Sequence, residues 1–170
     1  MASRDIRDLE PNTRAKAERF LVLCAAADFD VLIYCTYRPD SEQAILYRQS
    51  RTIGQIKDMA RKLSDVYGRD DLSKVLLDVG PRNGPHVTNA APGQSLHGYG
   101  LAFDGVPMNQ GKPIWSSSAT EWQVYGELAE TAGLSWAGNW IGFKEYPHCQ
   151  QKNMRWKDLI QTGRPTMREA

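Results

Sequence analysis

Cysteine is scarce in this chain: Cys24, Cys35 and Cys149 are all there are among 170 residues, with no Cys-x-x-Cys pair. Three isolated thiols argue against a disulfide framework or a cysteine-built zinc site, and they fit synthesis in a reducing compartment. Charge of one sign is not in excess either. A formal net charge of +1 disfavours a nucleic-acid binder, for which no motif is present. Long apolar runs are missing, and nothing approaches the ~18 residues of a membrane span. The first residues, Met1-Ala-Ser-Arg-Asp-Ile-Arg-Asp8, lack the apolar centre of a signal peptide. The expectation is a chain synthesised in the cytoplasm. Histidine is equally rare, at three residues, so any histidine-based metal site has few candidates.

What is present suits one domain over residues 1–170, with 41% apolar and 24% charged residues. Behind Pro11 and Asn12, start signals for a helix, Ala17, Phe20, Leu21, Cys24 and Ala27 recur at helical spacing. Val31 to Tyr37 is a β-branched and aromatic run of strand length, and a short helix is expected after Asp40 or Ser41. Ile56, Met59, Ala60 and Leu63 form one helical stripe and Leu72, Val75, Leu76 and Val79 another, with Gly68 between them. Residues 80–95 are rich in Gly, Pro, Asn and Ser and read as loop. Leu101 to Val106 reads as a strand. Ser118-Ala-Thr-Glu121 has capping-box spacing for a helix that Gly133 stops, and a last strand region is expected at roughly 141–150. Strands scattered among helices, without a βαβ rhythm, predict an α+β fold.

Two segments carry chemistry. His97 lies in Ser95-Leu-His-Gly-Tyr-Gly-Leu-Ala-Phe-Asp104. Asp104 interrupts a mostly apolar strand, a costly place for a carboxylate unless it is paired or bound to a cation. A seven-residue offset sends His97 to the opposite strand face, and Gly98 and Gly100 supply a bend that returns it. In Glu145-Tyr-Pro-His148, Pro147 cannot donate to a sheet ladder, so a bulge or strand end there re-aims the flanking side chains. Two histidines, one carboxylate and a water make a catalytic zinc tetrahedron, with a second carboxylate left as general base. On spacing alone the ordinary alternatives stand beside this reading: a hydrogen-bonded structural histidine, a turn aspartate before Gly105, and a surface glutamate.

The whole string is more specific. It resembles the VanY/VanX-like D-Ala-D-Ala carboxypeptidase and L-alanyl-D-glutamate endopeptidase family (M15), including its phage endolysin-type members. The pattern Ser-x-His-x-x-Gly-x-Ala-x-Asp is met by Ser95, His97, Gly100, Ala102 and Asp104. Gly133, Leu134, Trp136, Gly138, Trp140, Glu145, Pro147 and His148 meet a second block. Tyr37, Arg38, Glu42, Gln43, Leu46 and Tyr47 meet a third. The resemblance implies a small antiparallel sheet with flanking helices and a zinc site at the sheet, as in hedgehog and DD-peptidase-like folds. It makes His97, Asp104 and His148 the Zn2+ ligands, Glu145 the catalytic base, and Arg38 a cation near the scissile carbonyl. Ser95 and Gln43 become polar groups on the substrate side.

Departures from the pattern are Cys149 where an aromatic is usual, Asn139 where Asp is frequent, and an apparent helical insertion at about 54–83, read here as packing. Cys149 reads as an inert buried thiol and His86 as an ordinary loop histidine. The basic segment at about 151–170 contains Lys152, Arg155, Lys157, Arg164 and Arg168 among Met154, Trp156, Leu159 and Ile160. Docking by Trp156 and Leu159 is favoured over contact with an anionic membrane. The implied function is hydrolysis of a peptidoglycan stem-peptide bond, L-alanyl-D-glutamate above a D-Ala terminus. A monomeric lysin is expected, reaching periplasmic peptidoglycan through a membrane-permeabilising, holin-type partner. No separate wall-binding domain is apparent, which fits a Gram-negative host. The rivals are a D,D-carboxypeptidase or dipeptidase, and a zinc-bearing wall-binding module without turnover.

Overall fold

A computed structural model describes residues 1–80 and 84–162. Helix α1 (Pro11–Ala26) opens where proline fits the first helical position, and the Glu10 carboxylate caps it by accepting from the Asn12 and Thr13 amides. Strand β1 (Val31–Cys35) follows, then α2 (Asp40–Arg48), α3 (Ile53–Asp65) and α4 (Asp70–Asp78). A capping box between Thr52 and Gln55 starts α3. After a loop come β2 (Ala102–Asn109), β3 (Lys112–Pro113), α5 (Glu121–Thr131), β4 (Leu134–Trp136), β5 (His148–Gln151) and the short α6 (Trp156–Leu159).

The sheet is antiparallel, in the order β1-β2-β5-β4, with β3 paired to β2. This is the α+β arrangement expected. The β2–β5 register sets Asp104 opposite His148 and Phe103 opposite Cys149. Because side chains alternate, the first pair shares one face and the second turns to the other. Phe103 and Cys149 are fully buried against α1 and α5, where Phe20 meets Tyr125 edge-on at 5.2 Å and Phe103 at 5.7 Å. Asp104 and His148 lie on the face away from these helices.

A second core joins α2, α3 and α4 through Ala44, Tyr47, Ile56, Ala60, Leu63, Leu72 and Leu76, together with Ala91 and Ile160. Helices α3 and α4 therefore pack against α2, and they also seat the C-terminal segment. Trp156 and Leu159 dock against the metal-motif side of the molecule, and Ile160 is buried. The far part of the basic tail, with Arg164 and Arg168, lies outside the described residues.

Three local expectations change. Ser118 does not cap α5: Thr120 takes the N-cap position without a side-chain bond, and the Ser118 hydroxyl pairs with Ser116 at 2.9 Å. The strand expected across 141–150 shrinks to β5, because Gly142 takes a positive φ and Glu145 to His148 close a turn, with the His148 amide donating to the Glu145 carbonyl at 3.0 Å. Strand β4 was hidden between the helix stop at Gly133 and a 3-10 turn at Ala137–Asn139, too short for alternation to reveal.

The close approach of α5 to β4 has a measurable consequence. A Cβ on Gly126 would come within 2.0 Å of the Trp136 ring. Alanine ordinarily gains about 0.5–1 kcal/mol over glycine inside a helix, but overpacking here costs about 1–3 kcal/mol. Gly126→Ala should therefore lower stability, read as a reduced urea midpoint; a raised midpoint would contradict this packing.

Candidate metal centre

The site is assembled from four chain segments. The sheet register brings Asp104 and His148 together, so the His148 Nδ1 lies 3.1 Å from the Asp104 Oδ1. His97 reaches them from a 3-10 turn, Leu96–Tyr99, which ends where Gly100 adopts a positive φ. Its Nε2 lies 3.1 Å from the same Asp104 Oδ1 and 3.2 Å from the His148 Nδ1. Three donor atoms thus form a near-equilateral triangle. A tetrahedral zinc with bonds of about 2.0–2.2 Å sets its ligand atoms about 3.3–3.6 Å apart, slightly wider than this triangle.

The opposite edges of both rings decide where the lone pairs point. His97 Nδ1 lies 2.8 Å from the Thr36 carbonyl oxygen, which can only accept, so Nδ1 carries the proton and Nε2 faces the triangle as an acceptor. The His148 Nε2 donates to the Gln150 Oε1 at 3.1 Å, leaving its Nδ1 as the inward lone pair. Three electron pairs aimed at one point repel unless a cation stands among them. That demand is the fit test for a metal, and the residues meet it.

The ionisation of the metal-free chain expresses the same demand. Burial of the His97 ring opposes its charge, yet the Asp104 carboxylate outweighs burial and holds the pKa up at about 10. Burial likewise works against the Asp104 charge, but the two histidines hold its carboxyl well below the usual range. A proton on His97 supplies positive charge at the triangle, and a metal ion held there would displace it.

Arg38 stands behind Asp104. Its Nη2 donates to the Asp104 Oδ2 at 3.3 Å and to the Cys35 Sγ at 3.2 Å, and its Nη1 donates to the Gln43 Oε1 at 3.1 Å. The carboxylate is thereby split: Oδ2 is held by Arg38 and Oδ1 is presented to the triangle. Gln43 is buried, its Nε2 donating to the Ala90 carbonyl at 2.7 Å. Both ends of the amide are used inside the protein, so it turns toward Arg38 and not toward a substrate. Ser95 and Glu145 are half-buried and line a cleft of about 840 Å³ that contains the triangle. The turn carrying Glu145 and His148 is pinned by two aromatic residues. The Trp136 Nε1 donates to the Tyr146 carbonyl at 2.7 Å and the Tyr125 hydroxyl to the Pro147 carbonyl at 2.9 Å.

Two residues escaped the reading of the sequence. Cys35, opposite Asp104 in the β1–β2 register, groups with His97 and Asp104 as a further potential metal-holding set. Its sulfur approaches His97 at Nδ1, 3.8 Å away, the edge already committed to Thr36. Cys35 therefore backs the centre and does not share the inward apex. Gln150 was detectable in principle, since a position two residues along a strand shares the face of His148. Cys149 is buried, with its thiol pushed up by burial, as expected of an inert residue. His86 is exposed on the cleft rim, 3.0 Å from Asn89.

Residues 88–151 match the peptidase family described as D-alanyl-D-alanine carboxypeptidase, a stretch that includes His97, Asp104, Glu145 and His148. The chain is 29% identical over 151 residues to the peptidoglycan L-alanyl-D-glutamate endopeptidase CwlK of Bacillus subtilis (strain 168), covering 84% of this chain and 73% of that one. Among solved structures it is similar to the L-Ala D-Glu endopeptidase ChiX of Serratia marcescens, with a TM-score of 0.51, 16% identity and 89% of each chain covered. It is also similar to the LdcB LD-carboxypeptidase, with a TM-score of 0.53, 15% identity, and 94% of this chain and 67% of that one covered. At these identities the two structures speak for the fold.

The centre makes two testable demands. Because the raised His97 pKa means a proton is bound at neutral pH, zinc binding should release about one proton and tighten about tenfold per pH unit from neutrality toward pH ~10. Calorimetry in buffers of different ionisation enthalpy reads this directly, and zero release would refute the shared-cation picture. Arg38→Ala should weaken zinc binding about 10–100-fold by freeing the Asp104 Oδ2, with Arg38→Lys restoring only part because the fork is lost. Unchanged zinc affinity in the alanine variant would show that Asp104 needs no such support.

Proposed function

We propose that this chain, a VanY-like peptidase of family M15, is a zinc-dependent peptidoglycan peptidase that hydrolyses the L-alanyl-D-glutamate bond of the stem peptide. The observation that carries the proposal is the triangle of His97, Asp104 and His148, three inward lone pairs at 3.1–3.2 Å beside a cleft that also contains Glu145. The likeness to CwlK supports this choice of bond. The family description keeps a terminal D-Ala–D-Ala bond as the second reading.

His97, Asp104 and His148 would hold the zinc. When bound, it supplies a water acidic enough to lose its proton near neutral pH and a Lewis acid at the scissile carbonyl. Glu145 is not among the three close ligand atoms, and its half-exposed carboxylate on the cleft wall is free to take that proton and return it to the leaving nitrogen. The pinned turn ties Glu145 to His148, so the base would be held in step with a residue that would hold the metal. Arg38 keeps the Asp104 Oδ1 in place and adds positive charge on the side of the carbonyl oxygen. Gln43 orients Arg38 through its carbonyl, and Ser95 offers a hydroxyl to the substrate backbone.

The same proposal places the enzyme in a phage-lysin setting: synthesis in the host cytoplasm, and access to periplasmic peptidoglycan through a holin-type partner. The tryptophan block shared with lysin-type sequences supports it. No described helix is long and apolar enough to cross a membrane, which fits a need for such a partner.

Mass spectrometry of purified muropeptides after digestion by the zinc-loaded protein tests the reading and identifies the bond. New L-alanine termini and D-glutamate amines are expected; release of D-alanine alone would move the assignment to the carboxypeptidase. Glu145→Gln should keep full zinc content while turnover falls about 10²–10⁴-fold. Loss of zinc would make Glu145 a ligand, and normal turnover would assign the base elsewhere.

A further inference from the structure

The cleft lining carries charge of both signs. Among the described residues its acidic members are Asp104 and Glu145, on the segments that form the metal centre. Residues 154–157 supply a further stretch of the lining and carry Arg155 and Lys157. Arg38, the remaining cation of the lining apart from histidine, is committed to Asp104. An object lying along the cleft would therefore meet Lys157 and Arg155, the latter also paired with Asp158, in a stretch of the lining that has no carboxylate of its own among the described residues.

This wall is built into the fold. The Arg69 Nη1 donates to the Ile160 carbonyl at 2.7 Å while its other donors grip Asp71, which fixes the C-terminal segment to the start of α4. The Trp156 ring meets Tyr67 edge-on at 5.8 Å, and Ile160 is buried in the α2–α4 core. On its inner side Met154, Trp156 and Leu159 pack against a cluster containing Leu96, the neighbour of His97 in the chain. Arg155 donates from Nε and Nη2 to Asp158 at 2.9 and 3.1 Å, which fixes the plane of the guanidinium and leaves Nη1 unpaired among the described residues. The Lys157 Nζ lies 5.7 Å from the Trp156 ring centre, with no carboxylate bridged to it among the described residues.

We infer that Arg155 and Lys157 form a carboxylate-reading subsite that selects stem peptides with free acid groups beyond the scissile bond. The inference rests on the function proposed above, because a stem peptide cut at L-alanyl-D-glutamate presents the D-glutamate α-carboxylate and further carboxylates on one side of the cut. A cationic wall fixed relative to the metal both orients such a chain and discriminates against its amidated counterpart. It also gives the α3–α4 insertion a task, since Arg69 and Tyr67 hold the wall in place.

Two synthetic stem peptides test this, one with free carboxyl groups beyond the scissile bond and one with those groups amidated. Equilibrium binding is measured by calorimetry on zinc-loaded Glu145→Gln protein, and turnover on the zinc-loaded wild type. The free-acid peptide should bind about five- to tenfold more tightly, the size expected of two exposed charge pairs. Adding Arg155→Gln with Lys157→Met should erase that difference. In the otherwise wild-type enzyme the same pair should raise KM for the acid peptide by a similar factor, with zinc content unchanged and kcat within about twofold. Equal affinity for the two peptides, or a preference surviving the double substitution, overturns the subsite. If neither peptide is cleaved by the wild type but the affinity difference is present, the subsite stands and the assigned bond falls.

Discussion

Asp104 Oδ1 is shared by two histidines whose ring nitrogens both face it, an arrangement that needs a positive charge at its centre, and the rest of the structure serves to keep it intact. A carboxylate oxygen and two imidazole nitrogens at 3.1–3.2 Å hold together only around a positive charge. The chain meets the geometric cost with hydrogen bonds on the far edges: Thr36 to His97, Gln150 to His148, and Arg38 to Asp104. Each removes the alternative in which a ring flips or the carboxylate rotates away. Metal sites are commonly tuned in this outer layer.

The two cores divide the labour. Sheet, α1 and α5 make a platform in which Tyr125 and Trp136 tie down the turn before β5, so that His148 and Glu145 are positioned by buried aromatic residues. The α2–α4 core supplies none of the three residues of the triangle. It anchors the start of the metal motif's approach, through Gln43 and the loop to Ala90, and the C-terminal wall through Arg69. Helices α3 and α4 thus bear on the cleft through the C-terminal segment that they anchor.

Arg38 shows how a single cation can serve both purposes. Its guanidinium is mostly buried, with a side-chain exposure of 16%, and it spans β1, α2 and β2 through Cys35, Gln43 and Asp104. A planar fork is needed for three partners in three directions, which a lysine ammonium on a flexible stem does not provide. Its hold on Asp104 is therefore coupled to its contacts with Cys35 and Gln43, so the three elements bear on the triangle together.

The sequence by itself determined the α+β class, the long helices and the identity of the chemical groups. Helical periodicity and strand alternation are local, and the spacing of Ser95, His97, Gly100, Ala102 and Asp104 is a property of the string. Gly100 and Pro147 even marked where the chain must leave regular strand. Tertiary structure alone decided which atoms meet. Register between β2 and β5 set Asp104 opposite His148, and strands far apart in sequence carry no local signal of their pairing. The same holds for Gln43, which looked like a substrate contact but is enclosed between Arg38 and Ala90, and for Cys35, whose place beside Asp104 exists only across a strand pair. Strand β4, three residues long, had too little alternation to announce itself and forms because β5 supplies its hydrogen bonds. Local rules specify what a segment prefers; contacts between distant segments specify where its side chains end, because only the folded chain brings their charges and hydrogen-bonding groups within reach of one another.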